Sequence, residues 1–469
     1  MKFPIDFISS ITPILGSETE SFLSALSDTV PVSFRMNPSK SLRNPMRPTV
    51  PYEKVPWSEW GFYLQERPAF TFDPLFHAGY YYVQEASSMF VEYLVNQLVR
   101  EPMVCLDLCG APGGKSISLL SALPEGSLLV SNEMVRQRSH LLSETMLKFG
   151  HPNWMVTNNS AKDFSPFPSL FDLVLVDAPC SGEGMFRKDE IAVAEWSLQN
   201  VEMCAARQRD IVADIWPSLK PGGLLIYSTC TFNTTENEDN ALWAATELGA
   251  ECVYVEREMD WAISPAFDSR VTAYRFFPHK SKGEGLFVAV LRKKEEGAEK
   301  IISRARGMKN RRKSSPFVKD PAPYASLLLH PDSFAFMERE DRIVALPAEY
   351  SDVFIMLDER LKIVSMGIEI GERKGRDFIP SHSLALSREL NPDAFPRFAL
   401  TYEEAISYLR REAIALPDAP KGYLLLTYKD EPLGFVKNIG NRANNLYPNE
   451  WRIRSGHLPE KRAEFFNHP

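Results

Sequence analysis

The chain of 469 residues lacks the long apolar segments that mark membrane proteins. No uncharged apolar run approaches the roughly 20 residues that a helix needs to span a bilayer. The N-terminus, from Met1 to Phe7, also lacks the unbroken apolar core of a signal peptide. The sequence shows no internal repeat and no low-complexity tract. These absences predict a globular protein of the cytoplasm with no membrane partner.

Cysteine is also scarce, and the few residues are spread unevenly: Cys105, Cys109, Cys180, Cys204, Cys230 and Cys252. A chain this long and this poor in cysteine does not need disulfide bonds for stability. No Cys-x-x-Cys pair occurs, so the sequence predicts no zinc site and no other bound metal. In a reducing cytoplasm Cys180 and Cys230 would remain free thiols.

The overall composition is ordinary, but the charge is unevenly distributed. Hydrophobic residues make up 44% of the chain and charged residues 24%, as in soluble globular proteins. The length predicts about three domains. The net charge of −8 argues against a nucleic-acid partner, although an average hides local patches. Residues 292–319 hold eleven Lys or Arg residues against three Glu residues. That segment is a solvated linker or a tether for a phosphate backbone, and both interpretations can hold together.

From Val104 onwards, short apolar runs alternate with helical patterns. Predicted strands cover residues 103–107, 128–130, 154–157, 171–176, 223–228 and 286–291. Predicted helices begin at Ser116, span 136–149 with Gly150 as a stop, span 195–219, and follow a capping box from Thr235 to Glu238. This alternation predicts a parallel, doubly wound α/β sheet that ends near Lys293.

A loop of small residues joins the first of these strands to its helix, Asp107-Leu-Cys-Gly-Ala-Pro-Gly-Gly-Lys-Ser116. A P-loop needs glycine five positions before Gly114, where Cys109 stands. Pro112 would also remove a backbone donor from a phosphate cradle. The Gly-x-Gly-x-x-Gly pattern of dinucleotide sites is absent as well. Both phosphate-binding interpretations are therefore weak.

The third interpretation of this loop is a nucleoside-type cofactor without phosphates, S-adenosylmethionine. Small residues let the backbone approach the methionine part of this cofactor closely. Glu133 ends the next strand nineteen residues past Gly114, near the spacing at which an acid accepts ribose hydroxyls. The alternative for Glu133 is an exposed acid near a helix start, where the helix dipole favours it.

Cys180 and Cys230 differ from the other cysteines because each follows a predicted strand and stands beside turn-forming residues. The segments are Asp177-Ala-Pro-Cys180-Ser-Gly182 and Tyr227-Ser-Thr-Cys230-Thr231. The carboxyl ends of strands form the edge at which open α/β sheets bind ligands. A thiolate needs a positive or donor-rich setting, for which the candidates are Lys115, Arg187 and Lys188. The other four cysteines are expected to be packing residues.

Two thiols at one sheet edge suit methyl transfer to carbon 5 of a cytosine, which is a poor nucleophile. Addition of a thiolate to carbon 6 turns the ring into an enamine, so that carbon 5 can attack a methyl sulfonium. Asp177 ends its strand where an acid can stabilise the charge that develops at ring nitrogen 3. A second thiol can assist when the carbon-5 proton leaves, because a nucleophile alone would remain joined to its substrate.

These segments, together with Asn132-Glu133, Arg138 and Arg275-Phe-Phe-Pro-His279, resemble the Nop/Sun-type family of RNA (cytosine-5) methyltransferases. The resemblance implies that Cys230 is the nucleophile and that Cys180 aids product release. It also implies that Asp177 contacts the target base and that Lys115 contacts the catalytic centre. The implied ligands of S-adenosylmethionine are Cys109, Gly110, Ala111, Pro112, Gly113, Gly114, Lys115, Glu133, Arg138, Asn159, Ser160 and Asp177. Many relatives have an adenine-contacting Asp where Asn158-Asn159-Ser160 stands here.

The layout of the whole chain is similar to the RsmF-like branch of that family, which modifies small-subunit ribosomal RNA. Arg35-Met-Asn37 and Gly79-Tyr-Tyr-Tyr-Val-Gln84-Glu85 resemble its N-terminal RNA-contacting module, and the segment from Leu433 to Arg454 resembles its PUA-like end. The resemblance implies a Rossmann-like doubly wound α/β methyltransferase sheet, flanked by an N-terminal α+β module and a C-terminal extension that ends in a PUA-like β-rich unit. The implied division is an RNA-binding module at 1–100, a catalytic domain at 101–293, a basic linker at 294–320, an intermediate unit at 321–400 and a PUA-like RNA-binding unit at 401–469.

The resulting prediction is a monomeric enzyme that methylates carbon 5 of cytosine in RNA, most specifically 16S ribosomal RNA, free or within the small subunit. The alternatives are a tRNA cytosine-5 methyltransferase, a DNA cytosine-5 methyltransferase, and a ribosome-assembly factor that binds RNA without catalysis. A DNA enzyme would attack with Cys180 and needs a Glu-Asn-Val motif, whereas Glu236-Asn237 is followed by Glu238. An inactive relative is expected to have lost one thiol, and both are present.

Overall fold

The computed structural model describes residues 3–294, 316–375, 377–456 and 462–468. Most of the predicted basic linker, including Arg304 to Lys313, lies outside these residues, so its role as a tether stays a prediction. Within the described ranges, no helix is both long enough and apolar enough to cross a bilayer.

The N-terminal region combines short helices with a small antiparallel sheet. Its helices are α1 (Ile5–Leu15), α2 (Thr19–Ala25), α3 (Pro38–Arg43), α4 (Pro74–His77) and α5 (Phe90–Leu98). Its strands are β1 (Val32–Met36), β2 (Arg47–Pro48), β3 (Tyr52–Lys54), β4 (Gly61–Leu64) and β5 (Tyr81–Val83). The sheet order is β3-β4-β1-β5, so β5 leads the chain from this sheet into α5 and towards the central sheet.

The middle of the chain forms the central sheet and its covering helices. Its strands are β6 (Val104–Asp107), β7 (Leu128–Asn132), β8 (Trp154–Thr157), β9 (Phe171–Asp177), β10 (Leu219–Thr229), β11 (Glu251–Cys252), β12 (Ser264–Pro265), β13 (Ala273–Phe276) and β14 (Leu286–Arg292). Its helices are α6 (Gly114–Ala122), α7 (Arg136–Phe149), α8 (Glu190–Glu195), α9 (Leu198–Ile215) and α10 (Glu238–Glu247). Two apolar clusters cover the faces of this sheet, which is why its inner strands are buried over almost their whole length.

The Rossmann-like sheet is confirmed, but it is mixed rather than wholly parallel. The order is β12-β13-β14-β10-β9-β6-β7-β8, and the pairings from β10 through β9, β6 and β7 to β8 are parallel. β13 and β14 run antiparallel to their neighbours. The chain between β13 and β14 is a short loop without a crossover helix, and only antiparallel strands can be joined in that way.

The helix predicted for residues 195–219 is present as α9, but its predicted bounds are too wide, because α9 spans Leu198–Ile215 and the separate helix α8 ends at Glu195. Trp196 is extended, and the side chain of Ser197 accepts the backbone N–H of Asn200 at 3.1 Å, which starts the second helix. After α9 the chain enters a 3-10 turn that contains Pro217 and passes directly into β10. A capping residue therefore starts this helix later than periodicity alone indicates.

The capping box predicted from Thr235 to Glu238 is also wrong. α10 begins at Glu238, and no side chain caps its first turn from Asn237. The carboxylate of Glu238 instead forms a buried ion pair with Arg275, so a tertiary contact takes the group that the local motif requires. The predicted stop of α7 at Gly150 is confirmed, since this residue has a left-handed conformation with φ of 78°.

The C-terminal part contains short helices and two further sheets. Its helices are α11 (Ala322–Ala325), α12 (Ser351–Asp358), α13 (His382–Leu386) and α14 (Tyr402–Leu409). Its strands are β15 (Phe334–Arg339), β16 (Arg342–Pro347), β17 (Ile363–Met366), β18 (Ile368–Lys374), β19 (Asp377–Pro380), β20 (Arg397–Ala399), β21 (Gly422–Tyr428), β22 (Glu431–Asn438), β23 (Ala443–Asn445) and β24 (Phe466–Asn467). The two sheets are β15-β16-β18-β19 and β20-β21-β22-β23.

Two strands tie this C-terminal part to the rest of the chain. β17 pairs antiparallel with β8 and extends the central sheet at its edge. β24 pairs with β2 of the N-terminal region. The predicted division into five units therefore stays a prediction, with backbone pairing between its parts.

Candidate active site

The two predicted thiols lie side by side at the carboxyl edge of the central sheet. Cys230 directly follows β10, and Cys180 follows β9 after Ala178 and Pro179. These strands are parallel neighbours, with Ser228 opposite Asp177 in the register. The two Sγ atoms are 3.2 Å apart, a hydrogen-bond distance between free thiols rather than a disulfide bond. The structure therefore brings together two residues that are fifty positions apart in sequence.

The environment makes the two sulfurs unequal. The hydrogen bond to Cys230, together with burial, raises the pKa of the Cys180 thiol well above its usual range. Cys180 therefore retains its proton and can donate it towards the Cys230 sulfur.

Lys115 and Asp177 form an ion pair beside the thiols. The Lys115 Nζ atom lies 2.9 Å from Asp177 Oδ2, and Ser228 Oγ donates to Asp177 Oδ1 at 2.7 Å. Burial alone would lower the pKa of Lys115, but the contacts with Asp177, and the nearby Glu85 and Cys230, outweigh it and raise that pKa. The lysine therefore supplies a lasting positive charge in the cleft that contains Cys230, and its role towards the thiol stays a prediction.

The other two candidate cations have different partners. Arg187 donates to the carbonyl groups of Gly283 and Thr29, at 3.0 and 3.1 Å. Lys188 pairs with Glu284 at 2.7 Å. Lys188 nevertheless lines the same cleft as Cys230, with its charge directed to Glu284.

Sequence reasoning missed two buried carboxylates that hold the cysteine loops against each other. The first is Glu183, three residues after Cys180. It accepts the backbone N–H groups of Phe232 and Asn233, at 2.6 and 3.1 Å, on the loop that follows Cys230. It also accepts the Trp196 indole at 3.1 Å.

The second carboxylate, Glu236, reaches in the opposite direction. It lies six residues after Cys230 and accepts the backbone N–H of Ser181 at 3.0 Å, next to Cys180. Gln208 and Asn233 donate to its side chain at 2.7 and 2.9 Å. Each cysteine loop thus carries an acid that binds the backbone of the other. The sequence signal that could have predicted these loop contacts is an acidic residue three or six positions after each turn cysteine.

Gly184 brings the two loops into direct contact. Its backbone N–H donates to the carbonyl oxygen of Cys230 at 2.8 Å. A Cβ atom at this position would lie only 2.4 Å from that oxygen, so a side chain would push the loops apart.

The predicted cofactor loop is built from backbone contacts that leave no room for larger residues. Gly110 donates its N–H to the carbonyl of Asn132 at 2.8 Å, and its Cβ would lie 2.9 Å from Ser116 Oγ. Gly113 has φ of 117°, and its Cβ would meet Thr145 at 2.7 Å. These two positions require glycine because of contacts within the protein, and the close approach of the loop to a ligand stays a prediction.

Asp107 gives this loop an unsatisfied acceptor. Its Oδ2 accepts the Ser116 hydroxyl at 2.6 Å, while its Oδ1 is buried without a hydrogen-bond partner. Burial raises the pKa of Asp107 to about 7. A buried acceptor at the base of a glycine-rich loop fits a ligand with hydrogen-bond donors, such as the amino group and ribose hydroxyls of S-adenosylmethionine.

Glu133 and Arg138 lie next to this loop. Glu133 is buried, accepts the backbone N–H of Val135 at 2.8 Å, and pairs with Arg138 at 3.3 Å. Arg138 also donates to the carbonyl of Ala111 in the loop at 2.9 Å. The structure therefore brings both predicted residues to the loop, where their contact with a cofactor stays a prediction.

Asn159 and Ser160 are the predicted residues whose side chains are already used within the protein. The carboxamide of Asn159 pairs with the backbone of Lys362, with bonds of 3.3 and 3.1 Å. Ser160 forms a capping box with Asp163. The geometry adds no support for an adenine contact from either side chain, and that role stays a prediction.

Two arginines in the segments that carried the resemblance are buried. Arg35 is 1% exposed and pairs with Glu92, and Arg275 is 2% exposed and pairs with Glu238. Arg275 also donates to the carbonyl of Phe232 at 2.8 Å, close to the Cys230 loop. Both side chains are structural, so Arg35 is not available to contact RNA.

A cleft of about 300 Å³ joins the thiols to the cofactor loop. Its walls include loop residues 109–112, Lys115, Asp177 and Cys230, together with Glu85 and Glu284. The volume is at the lower end of the range for small-molecule sites. In the part of the chain that the structure describes, no group of three or more His, Cys, Asp or Glu side chains could hold a metal ion.

Family models match most of the chain. The model described as 16S rRNA methyltransferase RsmB/F matches residues 97–292. The N-terminal domain of 16S rRNA methyltransferase RsmF matches residues 3–86, and the methyltransferase RsmF PUA domain matches residues 395–453.

Curated relatives match over nearly the full length. A ribosomal RNA small subunit methyltransferase F from Escherichia coli O127:H6 is 30% identical over 480 residues, which cover 97% of this chain and 98% of the relative. The enzyme of the same name from Pectobacterium atrosepticum is 28% identical, with 97% and 96% covered.

Solved structures show the same fold. A methyltransferase homolog protein from Pyrococcus horikoshii is similar with a TM-score of 0.53 at 24% identity, covering 62% of this chain and 95% of that chain. NSun6 from Pyrococcus horikoshii, solved with SFG, gives a TM-score of 0.52 at 20% identity, covering 63% and 99%.

Proposed function

Because this chain belongs to the RsmF family of 16S rRNA methyltransferases, we propose that it methylates carbon 5 of a cytosine in 16S rRNA through a covalent adduct with Cys230. The observation that supports this chemistry most directly is the 3.2 Å contact between two free thiols beside the Lys115–Asp177 pair. A methyltransferase that attacks with oxygen or nitrogen of its substrate has no need for two adjacent thiols.

The cofactor is S-adenosylmethionine, and when bound it supplies the electrophilic methyl group that carbon 5 accepts. The residues that would hold it are the loop from Cys109 to Gly114, the unsatisfied carboxylate of Asp107, and Glu133 with Arg138. The Asp107 oxygen that has no hydrogen-bond donor suits a ligand that carries N–H or O–H groups, as this cofactor does.

The first task of the protein is to add Cys230 to the base. The Cys230 thiolate forms a bond to carbon 6, and the electron pair of the carbon 5–carbon 6 double bond moves into the ring. The negative charge that develops at nitrogen 3 and oxygen 2 is stabilised by the Lys115–Asp177 pair, whose ammonium group persists because its pKa is raised. Carbon 5 thereby becomes a nucleophile.

The second task is to release the product, and the thiol pair suits it. Once Cys230 is bonded to carbon, it can no longer be a thiolate that accepts a hydrogen bond from Cys180, so the main cause of the raised Cys180 pKa disappears. Cys180 can then lose its proton to water and take the proton from carbon 5. The ring double bond reforms, the carbon 6–sulfur bond breaks, and Cys230 leaves as a thiolate.

The structure disfavours the alternative in which the chain acts as a DNA-type enzyme. Such an enzyme would use Cys180 as the attacker and Glu236 as the acid near the base. Glu236 is fully buried, and Ser181, Gln208 and Asn233 already donate to its carboxylate. A carboxylate in that position holds loops together and has no surface for a base.

The family makes ribosomal RNA the substrate, and we propose that residues 1–100 and the PUA-like unit at 401–469 bind it. We further propose that the protein acts as a monomer in the cytoplasm, where ribosomal subunits assemble. Light scattering of the purified protein would test the oligomeric state.

The decisive experiment maps 5-methylcytosine in 16S rRNA and tRNA from cells with and without the gene. We expect one or more cytosines of 16S rRNA to lose the mark in the deletion strain. Labelled methyl transfer in vitro to free 16S rRNA, assembled small subunits, tRNA and perfect duplex would then rank the substrates. Loss of the mark from tRNA alone, or equal transfer to perfect duplex, would contradict the proposal.

A further inference from the structure

Three carboxylates line the cleft at Cys230 among the described residues, and one of them has a buried oxygen without a hydrogen-bond donor. Glu85 accepts the backbone N–H groups of Ser87 and Ser88 at 2.9 and 2.8 Å. Both oxygens of Asp177 have partners in Lys115 and Ser228. The third acid, Glu284, uses only Oε1, which pairs with Lys188, and its Oε2 is buried with no hydrogen-bond partner.

The sheet places Glu284 on the opposite side of Cys230 from Asp177. β10, which leads to Cys230, lies between β9 and β14 in the central sheet. Asp177 ends β9 beside Ser228, while Phe287 of β14 pairs with Thr229. Glu284 comes three residues before Phe287, at the end of β14 nearest Cys230. A base attached to Cys230 therefore has an acid–lysine pair on each flank.

An unsatisfied buried acceptor is costly, and a hydrogen-bond donor on a ligand is one way to remove that cost. Glu284 is 5% exposed, and burial raises its pKa although Lys188 opposes the change. A donor from the substrate would satisfy the free oxygen and stabilise the charged carboxylate. The ring of cytosine carries such a donor in its exocyclic amine, whereas uracil has a carbonyl acceptor at the same place.

We infer that Glu284, oriented by Lys188, accepts a hydrogen bond from the exocyclic amine of the target base and so selects cytosine over uracil. This inference rests on the proposed cytosine-5 chemistry and assigns the choice of base to a residue outside the thiol pair. Lys188 acts as a positioning residue, because its ammonium group engages one carboxylate oxygen and leaves the other for the base.

A substitution by glutamine tests the direction of this hydrogen bond. In Glu284→Gln, Lys188 retains the amide oxygen, so the amide nitrogen faces the base. That nitrogen donates, and it therefore opposes the cytosine amine but matches the carbonyl of uracil. Glu284→Ala removes the acceptor without supplying a donor.

The experiment uses the full chain with 16S rRNA transcripts that carry cytidine or uridine at the position methylated by the wild-type protein. We expect Glu284→Gln to lower kcat/KM for the cytidine transcript roughly tenfold to a hundredfold and to raise it for the uridine transcript. Glu284→Ala should lower the cytidine value with no gain for uridine. Glu53→Gln is the matched control, since it removes an exposed acid that pairs with Lys282 on the same loop.

The outcomes separate this inference from the proposed function. An equal fall for both transcripts, or an unchanged ratio, in Glu284→Gln would overturn the role of Glu284. A wild-type protein that methylates no cytosine would instead overturn the proposed function. Melting temperature and affinity for S-adenosylmethionine report whether each variant is folded. If Glu284→Gln is unfolded, Glu284→Asp provides the test, because it keeps the charge but withdraws the acceptor and should lower the cytidine value alone.

Discussion

Two parts of the same sheet edge use their polar residues in opposite ways. We call the loops around Cys180 and Cys230 the thiol end, and the glycine-rich loop with its neighbours Glu133 and Asn159 the cofactor end. At the thiol end, Cys230 and Asp177 face a cleft, while the separate buried acids Glu183 and Glu236 hold the loops in place. At the cofactor end, the side chain of Asn159, a predicted cofactor contact, forms hydrogen bonds with the backbone of Lys362. The side chains of Cys230 and Asp177 can therefore face a substrate, because the separate acids Glu183 and Glu236 hold the loops in position.

This difference has an energetic side. A buried carboxylate is expensive to desolvate, and an apolar group of similar size would often be at least as stabilising. Glu183 and Glu236 recover that cost through several N–H donors from the opposite loop. What they provide is a defined distance between two sulfurs, which apolar packing specifies less sharply.

The largest expected effect breaks the thiol end directly. Cys230→Ala should reduce methyl transfer roughly 10⁴-fold or more, because it removes the proposed nucleophile that attacks carbon 6. Cys180→Ala should instead accumulate a protein–RNA adduct that survives denaturation, since attack proceeds and release stalls. Denaturing gels with labelled RNA measure both results.

Cys252→Ala is the matched control for these variants, because this cysteine lies on β11 outside the cleft. It should leave transfer unchanged. An adduct that forms in Cys230→Ala but not in Cys180→Ala would reverse the two roles.

The next largest effect is expected when a carboxylate that holds the cysteine loops together is changed and both thiols are kept. In Glu183→Gln an amide N–H₂ replaces one acceptor opposite the N–H groups of Phe232 and Asn233. We expect a loss of about 1–3 kcal/mol in the free energy of unfolding and at least a tenfold fall in kcat. Urea denaturation and single-turnover kinetics measure the two quantities.

Glu190→Gln, an exposed substitution on α8, serves as the control for Glu183→Gln. Full activity in Glu183→Gln at normal stability would show that the acid does not position the thiols.

A smaller effect concerns pH and the cofactor end. Because burial raises the pKa of Asp107 from 3.8 to about 7, the folded state holds a proton there that the unfolded chain has lost. The contribution of Asp107 to stability is therefore full below pH 3.8 and is lost as the pH rises towards 7. Asp107→Asn should be stabilised relative to wild type by at most about 4 kcal/mol above pH 7, and by much less at pH 4.

Urea unfolding of the apo protein across this pH range measures the difference for Asp107→Asn. A difference between variant and wild type that does not change with pH would show that Asp107 keeps its charge in the folded state.

The smallest expected effect tests whether the side chain of Asn159 stabilises the fold or binds the cofactor. Asn159→Ala removes both bonds to Lys362, so unfolding should become about 1–2 kcal/mol easier, while the affinity for S-adenosylmethionine changes less than threefold. Calorimetric titration with Ser160→Ala as a companion variant measures the affinity. A large loss of affinity at normal stability would make Asn159 an adenine contact and remove the contrast between the two ends.

Local patterns sufficed where local physics decides the structure. Buried apolar runs located the inner strands, and Gly150 stopped α7 because a left-handed residue ends a helix. The same reasoning misplaced the ends of α9 and the start of α10. There a capping serine and a distant arginine competed with helical periodicity, and the sequence does not reveal which contact is stronger.

The site shows the same limit at the level of side chains. Cys180, Cys230 and Asp177 could be placed together because parallel neighbouring strands end at one edge. The sequence could not predict the roles of Glu183, Glu236 and Glu284, because those roles depend on which hydrogen-bond donors of the folded chain reach each carboxylate oxygen. Arg35 and Arg275 resembled functional residues in the same way, yet folding buries both.

By itself, the sequence determined the alternating α/β architecture, the glycine loop and the location of two cysteines just past strand ends, because each depends on residues close together in the chain. Only the tertiary structure decided that the sulfurs lie 3.2 Å apart, that β17 completes the central sheet, and which carboxylates are satisfied. These features depend on contacts between segments fifty to two hundred residues apart, and such contacts are selected by packing and desolvation, which no local pattern records.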